Sequence, residues 1–195
     1  MKVGRFTTRL AYLMLAVVFM SVGSWRALAQ AGHSHAQSQQ QTQGQAKKAG
    51  ALLKIVRDAT ERFQDVNEAE AEGYALQFGC VSGDSAGAMG LHYVNGDLVN
   101  GGVIDARKPQ IVIYEATPTG SLQLIGADYL VIASTWNAKH SSPPELMGQL
   151  FHLFPAPNRF GLPDFYTLHV WAWKDNPNGA FVNWHPSVSC ETFGG

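Results

Sequence analysis

Hydrophobic positions recur with a helical period in the first strongly patterned segment of the chain. Between residues 52 and 66 the apolar side chains are adjacent or three to four positions apart, and charged side chains fill the positions between them. This period is typical of an amphipathic helix with one buried face. We predict one helix over residues 47–63 and a short second helix over residues 66–72. The apolar positions are Leu52, Ile55, Val56, Ala59, Phe63 and Val66.

Two local signals mark the ends of the second predicted helix. Asp65, followed three residues later by Glu68, matches a capping box at its start. Gly73 is expected to end it, because glycine readily adopts the left-handed conformation that terminates helices.

The pattern changes after Cys80, where Gly, Asn, Asp and Pro separate short apolar runs. Such punctuation is typical of strands and turns. Helices followed by strands indicate an α+β fold, in which an N-terminal helical segment packs on a mostly antiparallel sheet. We predict strands over residues 90–94, 110–115, 122–133 and 166–174, a hairpin turn over 117–120, a short helix over 143–151 and a last strand near 180–183.

The first 29 residues have the pattern of a secretory signal peptide. A basic start precedes an apolar run over residues 10–22, and Ala27 and Ala29 provide the small residues of a cleavage site. The run is too short for a membrane span. We therefore expect residues 1–29 to be removed and the mature protein to be secreted or periplasmic.

The remaining chain divides into a tail and one domain. Residues 30–46 are polar and without periodicity, so we predict a disordered tail. Residues 47–195 are expected to form a single α+β domain. This part has no second long apolar stretch, so no membrane span is expected after signal cleavage.

The charge of the mature chain narrows the possible partners. Without the four basic residues of the leader, 10 basic and 15 acidic residues remain, a net charge of −5. Nucleic acids and anionic membranes are bound by basic surfaces. We therefore expect no nucleic-acid partner, and the partner that the sequence leaves open is a small molecule or a metal.

Cys80 and Cys190 are the two cysteines of the chain. An even pair in an oxidising compartment predicts a disulfide. The alternative is that both thiolates bind a metal, although neither cysteine has a Cys or His partner at the spacing of zinc fingers.

Three polar residues interrupt the predicted strands and form the candidate metal site. Side chains alternate between the two faces of a strand. His92 then shares a face with Gly90 and Val94, and Asp128 and His169 likewise lie within apolar strands. Two histidines and one carboxylate form a ligand set for one divalent transition metal, best suited to Fe and less selectively to Zn or Cu. The alternative is that all three are ordinary hydrogen-bonded core residues.

The same alternation suggests an organic-ligand pocket. Trp171 and Trp173 are predicted to share a face with His169, and Asp128 with Leu124. The tryptophans would wall a pocket that binds a small molecule without metal, and His185 would join it from the C-terminal end. The alternative is that each tryptophan is a plain core residue, since tryptophan buries a large area. Familiar catalytic motifs such as HExxH or Gly-x-Ser-x-Gly are absent from the sequence. Whether the protein is an enzyme, and which residues would be catalytic, therefore stays open. A purely structural or interaction role is also open.

Three segments carry a resemblance to a known family: GCVSG at residues 79–83, GAMGLHYVN at 87–95, and LHVWAWK followed by NP, Gly, Phe and VSC over 168–190. Over roughly residues 50–192 the chain resembles a family of secreted bacterial proteins with no assigned activity. The resemblance implies an extracytoplasmic compartment and a Cys80–Cys190 pair. Where this chain has Asp128-Tyr129, members tend to carry Glu-Tyr, so the carboxylate is retained. Where this chain has Trp184-His185-Pro186, members tend to carry Trp-Asn-Pro, which argues against His185 as a ligand shared by the family.

Overall fold

The structure, a computed structural model, describes residues 24–83 and 85–193 and, from Thr42 onward, their side chains. The chain forms two compact units, residues 1–41 and residues 42–195. Of the first unit, only the helical backbone of residues 24–41 is described. Residues 1–23 of the predicted signal peptide lie outside the described part, so the signal peptide stays a prediction.

The first helix, α1, comprises Ser24–Thr60. The segment 30–46, predicted as a disordered tail, therefore has helical backbone, and the helix begins well before residue 47. Most of this segment is Gln and Ala, which both favour helix. Its disorder in solution and the domain boundary at 47 stay predictions. None of the helices in the described residues combines the length and the apolar character needed to cross a membrane.

Both predicted N-terminal helices are confirmed, with the first ending at Thr60 instead of residue 63 and the second at Ala71 instead of residue 72. A 3-10 turn, Glu61–Gln64, follows α1, and α2 comprises Val66–Ala71. The Asp65 carboxylate caps α2 by accepting the Asn67 backbone N–H at 3.0 Å. In a complete capping box the Glu68 side chain would accept a hydrogen bond from the Asp65 backbone N–H. Here the Asp65 N–H donates to the Arg62 carbonyl instead.

Six antiparallel strands form the main sheet, which confirms the α+β fold. All adjacent pairs are antiparallel. The strands are β1 (Tyr74–Ser82), β2 (Ala88–Asn95), β3 (Ile111–Ala116), β4 (Leu122–Ile132), β7 (His152–Phe154) and β8 (Phe165–Val170), in the spatial order β1-β2-β3-β4-β8-β7. Two short helices, α3 (Gly96–Gly101) and α4 (Ala133–Asn137), follow β2 and β4.

Two local predictions are wrong. The helix predicted over 143–151 is instead a small hairpin, in which β5 (Glu145–Leu146) pairs with β6 (Gln149–Leu150). Met147 and Gly148 between them have φ angles of 52° and 86°, the left-handed backbone of a two-residue hairpin turn. The strand predicted near 180–183 is a series of turns.

Hydrophobic residues pack on both faces of the sheet. On one face, Leu52 and Val56 of α1 pack against Tyr129 and Leu168, and a neighbouring cluster surrounds Tyr114. On the other face, the sheet is covered mostly by loops, together with Val99 of the short helix α3. That cluster contains Ile111, Ile113, Ile125, Leu130, Phe165 and Trp171. The second face is the one that carries the candidate site.

A disulfide joins Cys80 in β1 to Cys190 near the end of the described chain, as predicted, with 5.6 Å between the Cα atoms. Both cysteines are thereby used, so the two-thiolate metal site is ruled out. Close by, Ala88 and His185 pair through two backbone hydrogen bonds of 3.1 and 3.2 Å. The C-terminal segment is therefore fastened to the start of the sheet at two points.

Candidate metal centre

Strand register places the three predicted ligands on one face of the sheet. Asp128 of β4 lies directly opposite His169 of β8. His92 of β2 lies opposite Ile113, which in turn lies opposite Gly126 of β4, two residues before Asp128. Because side chains two residues apart share a face, His92, Asp128 and His169 all point to the loop-covered side.

The three side chains converge. His92 Nε2 and His169 Nε2 are 3.4 Å apart, and His169 Nδ1 is 3.7 Å from Asp128 Oδ1. One potential ligand atom from each residue lies within 4.8 Å of the other two. All three residues are at most 5% exposed. The structure therefore brings together the residues that strand alternation selects.

Each histidine has a neighbour that fixes which ring nitrogen carries the proton. His92 Nδ1 lies 3.1 Å from the Gly90 carbonyl, which can only accept a hydrogen bond. We therefore assign the proton of His92 to Nδ1 and a lone pair to Nε2. Gly90 itself has a φ of +90°, and a Cβ there would lie 2.6 Å from the Tyr114 carbonyl oxygen, so only glycine suits this position.

His169 is assigned in the same way. Its Nδ1 is buried without a hydrogen-bond partner, as is Asn183 Oδ1, among the described residues. The Asn183 side chain raises the pKa of His169, as an oxygen acceptor beside a ring N–H does. With Asn183 and Asp128 both offering oxygens, the proton belongs on Nδ1. The lone pair of His169 Nε2 then faces that of His92 Nε2.

Burial sets the protonation of the cluster. It lowers the pKa of His92 to about 4, with a further lowering from His169, and it lowers that of His169 to about 3. Burial also raises the pKa of Asp128 to about 6, although the Thr167 hydroxyl, donating to Asp128 Oδ1 at 2.5 Å, acts against this rise. At neutral pH both histidines are uncharged and the carboxyl is ionised, which are the forms that bind metals.

A cavity of about 30 Å³ adjoins the cluster. Its polar lining consists of the three predicted ligands and Thr167, and the remainder is apolar. A water molecule needs about 10–15 Å³, so the space fits a water or a ligand of a few atoms. The aromatic part of the lining is Phe78, Phe154, Phe160 and Phe165.

The predicted organic-ligand residues do not line this cavity. Trp171 is on the same side as His169, with 6.1 Å between ring centroids, but its Nε1 donates to the Val182 carbonyl. His185 Nε2 lies 3.1 Å from the Asp175 carbonyl, and His185 Nδ1 accepts from the Ser187 N–H. Trp171 and His185 therefore use their polar atoms for hydrogen bonds that fix the C-terminal segment.

Trp173 lies on the opposite side of the sheet, contrary to the prediction. Strand β8 ends at Val170, so alternation does not continue to residue 173. The Trp173 Nε1 donates to Thr60 Oγ1 at 3.0 Å, beside α1. The residue therefore joins the two clusters of the helix-covered face.

Leu124 is also on the face opposite Asp128, again contrary to prediction. Tyr114 pairs with Leu124 and Ile113 with Gly126, which leaves Ile125 as the extra residue of a β-bulge. The bulge reverses the alternation, so Leu124 packs around Tyr114 while Leu130 stays on the side of the site.

Sequence reasoning missed three residues that shape the site. Thr167 precedes His169 by two positions, and alternation alone would have placed it beside Asp128. Asn183 lies in a turn segment and Phe78 in a bulge, where no periodic signal exists.

Comparison with known proteins identifies no relative: no protein family, no curated protein and no solved structure matches the chain.

Proposed function

We propose that the protein binds one divalent transition metal through His92 Nε2, His169 Nε2 and the Asp128 carboxylate. The observation that carries the proposal is the approach of His92 Nε2 to His169 Nε2 at 3.4 Å, in a cluster that also contains Asp128. With both ring protons assigned to Nδ1, these two nitrogens both present lone pairs, and a cation between them satisfies both.

The distance between the two nitrogens fits a tetrahedral ion. Two nitrogen ligands at about 2.0–2.1 Å from a tetrahedral metal lie about 3.3–3.4 Å apart. Adjacent ligands of an octahedral metal at the same bond length would lie only about 2.8–3.0 Å apart. The distance is compatible with a tetrahedral ion such as zinc, one of the three metals, Zn, Fe and Cu, that suit this ligand set.

Asp128 supplies the negative charge that a buried cation needs. A divalent ion in a low-dielectric site favours the ionised form of a neighbouring carboxyl and would reverse the rise in the pKa of Asp128. The Thr167 hydroxyl donates to Asp128 Oδ1, and backbone hydrogen bonds from Tyr129 and Leu168 also favour the ionised carboxylate. This is the support expected around a metal ligand.

Three protein ligands leave one position of a tetrahedral ion open. The cavity of about 30 Å³ beside the cluster has room for a water at that position. A metal-bound water is more acidic than free water, which is the chemistry that catalytic metal sites use. We propose this open-position arrangement in preference to a purely structural ion, which is normally enclosed by four protein ligands.

We also propose that the protein works outside the cytoplasm, either secreted or in a bacterial periplasm. The Cys80–Cys190 disulfide supports this, because such bonds persist mainly in oxidising compartments. The basic and apolar pattern of residues 1–29 is the second support.

Elemental analysis tests the metal proposal. The full chain, expressed with its own leader and without a His tag, is purified from the exported fraction and analysed by plasma mass spectrometry. We expect close to one metal per chain, and a large loss in His92→Ala and His169→Ala. His140→Ala is the matched control, because this exposed histidine stacks on Trp136 away from the cluster.

Two results would contradict the proposal. Equal metal content in His92→Ala and His140→Ala would show that the metal binds elsewhere. A metal-free protein that takes up no zinc on dialysis and carries an extractable organic molecule would favour the metal-free pocket instead.

A further inference from the structure

Phe78 has an unusual backbone beside the proposed metal site. Its φ is +65°, a conformation that bulky residues rarely adopt. Gln77 pairs with His92 and Cys80 with Leu91, so Phe78 and Gly79 form a bulge in β1 next to the residue that pairs with the proposed ligand His92. Bulges commonly redirect a side chain near functional sites. This one turns the Phe78 ring toward the mouth of the cavity.

The Phe78 ring separates two spaces. It is 47% exposed, and its ring packs edge-on against Phe160 at 5.4 Å between centroids. It lines both the small cavity of the metal site and an adjoining open groove of about 240 Å³. Ile111, Leu130 and Leu162 also line both, so the two spaces are neighbours that share a wall made of these side chains and the Phe78 ring.

The groove is predominantly apolar and lacks charge. Its apolar lining includes Val94, Val99 and Ile132, and its polar side chains are Gln77 and Asn100. Among the described residues, Asp128 and the two histidines are the only titratable groups lining either space. A charged substrate would find no partner for its charge along the groove, whereas an apolar one would gain from burial.

We propose that cavity and groove are one substrate site, gated by Phe78, for an uncharged and mainly apolar organic molecule. One end of this molecule reaches the open metal position and its apolar part lies in the groove. This inference rests on the metal site proposed above. The cavity alone is too small for an organic ligand, but the two spaces together approach the roughly 300 Å³ at which ligand pockets begin.

Opening the gate requires only a side-chain movement. Rotamer changes of exposed side chains are fast, on the order of picoseconds to nanoseconds. Because almost half of Phe78 already faces solvent, turning it outward gives up chiefly its packing on Phe160.

Hydroxamates test the inference, because their metal-binding group can be held constant while the apolar part grows. The full-length protein is loaded with Co(II), whose visible spectrum reports ligands at a tetrahedral site, and is titrated with acetohydroxamate and benzohydroxamate. We expect benzohydroxamate to bind at least roughly tenfold more tightly, from burial of its phenyl ring.

Two variants locate the phenyl ring and the gate. Val99→Arg fills the groove and should weaken benzohydroxamate binding about tenfold or more while leaving acetohydroxamate affinity unchanged, which also shows that the variant is folded. Phe78→Ala should accelerate benzohydroxamate association in stopped-flow mixing. Leu150→Ala, at a residue 65% exposed in β6, is the control and should change neither.

The failures of the two proposals are distinguishable. A protein that develops no Co(II) spectrum overturns the metal proposal and the inference with it. A protein that binds cobalt but takes both hydroxamates equally well, or neither of them, overturns only the substrate inference. The substrate inference is also overturned if Val99→Arg leaves the affinity for benzohydroxamate unchanged and Phe78→Ala leaves its association rate unchanged.

Discussion

His92 and His169 meet at 3.4 Å although two strands separate them in the sheet. Neighbouring strands are about 4.8 Å apart, so β2 and β8 would lie about 14 Å apart in a flat sheet. The two imidazoles therefore reach toward each other over β3 and β4. Gly126, in the row of Ile113 and His92, contributes no side chain to obstruct them.

Asn183→Ala should weaken metal binding about 10–100-fold, the usual effect of losing a group that orients a histidine ligand. The reason is that the Asn183 side chain raises the pKa of His169, and so favours a proton on that ring, while Asn183 Oδ1 is buried without a hydrogen-bond partner elsewhere among the described residues. The measurement is zinc affinity by competition with a chromophoric chelator. Asn178→Ala, in an exposed turn, serves as the control. Full affinity in Asn183→Ala would assign Asn183 a packing role only.

Thr167→Val should destabilise the metal-free protein by about 1–3 kcal/mol, because it leaves Asp128 Oδ1 without its hydroxyl donor in a buried site. The pKa of Asp128 should rise further, since the Thr167 hydrogen bond now lowers it. Urea unfolding and a pH titration of zinc affinity measure the two effects. Thr167→Ser retains the hydroxyl and should behave much like the native protein. If Thr167→Val and Thr167→Ser have the same stability and the same zinc affinity, the hydroxyl hydrogen bond is not what holds Asp128.

The metal-free protein should lose stability as the pH falls from 7 to about 4. The histidines have folded-state pKa values below the ordinary 6.5, so their contribution is complete above pH 6.5 and is lost as the pH falls toward 4. The raised pKa of Asp128 acts oppositely, because its contribution is complete below 3.8 and is lost as the pH rises through about 6.

Two histidines outweigh one carboxyl in this pH window. The net slope should approach about 1.4 kcal/mol per pH unit between pH 6 and 4. Urea unfolding at several pH values measures it, and His92→Gln should flatten the curve. A stability that is constant or rises as the pH falls would contradict the neutral, buried state of both rings.

Reduction of the disulfide should lower the melting temperature strongly. The bond closes a loop of 110 residues, for which chain entropy gives a stabilisation of up to about 5 kcal/mol. Thermal unfolding with and without reductant measures the effect, with thiol titration to verify reduction. The double variant Cys80→Ala/Cys190→Ala should match the reduced protein. An unchanged midpoint in both would mean that the bond adds nothing to the folded state.

Strand alternation was sufficient to predict that His92, Asp128 and His169 converge on one face, because all three lie in regular stretches of their strands. It failed for Leu124 and Trp173, where a bulge and a strand end interrupt the period. The same physics explains why Phe78 was missed, since its position depends on an extra residue pair next to the residue that pairs with His92. Non-local contacts such as that of Asn183 with His169 have no sequence period at all.

The hydrophobic pattern predicted the presence of the N-terminal helices better than the residues at which they begin and end. Leu52, Val56 and Phe63 are buried as the period requires. The 143–151 segment was misjudged because Pro and Glu at its start favour a helix, whereas Met147 and Gly148 adopt a turn that is stable only once the flanking residues pair.

All three proposed ligands lie inside the ring that Cys80 and Cys190 close. Even when the oxidised chain unfolds, the ring limits how far His92, Asp128 and His169 can separate, so the unfolded state keeps some capacity to chelate. Metal bound by the unfolded state reduces the stabilisation that the metal gives. The disulfide and a bound metal would thus both reduce the same conformational entropy of the unfolded chain. Their contributions to stability would therefore be less than additive. A metal at the proposed site would consequently stabilise most strongly a chain whose cysteines have not yet been oxidised.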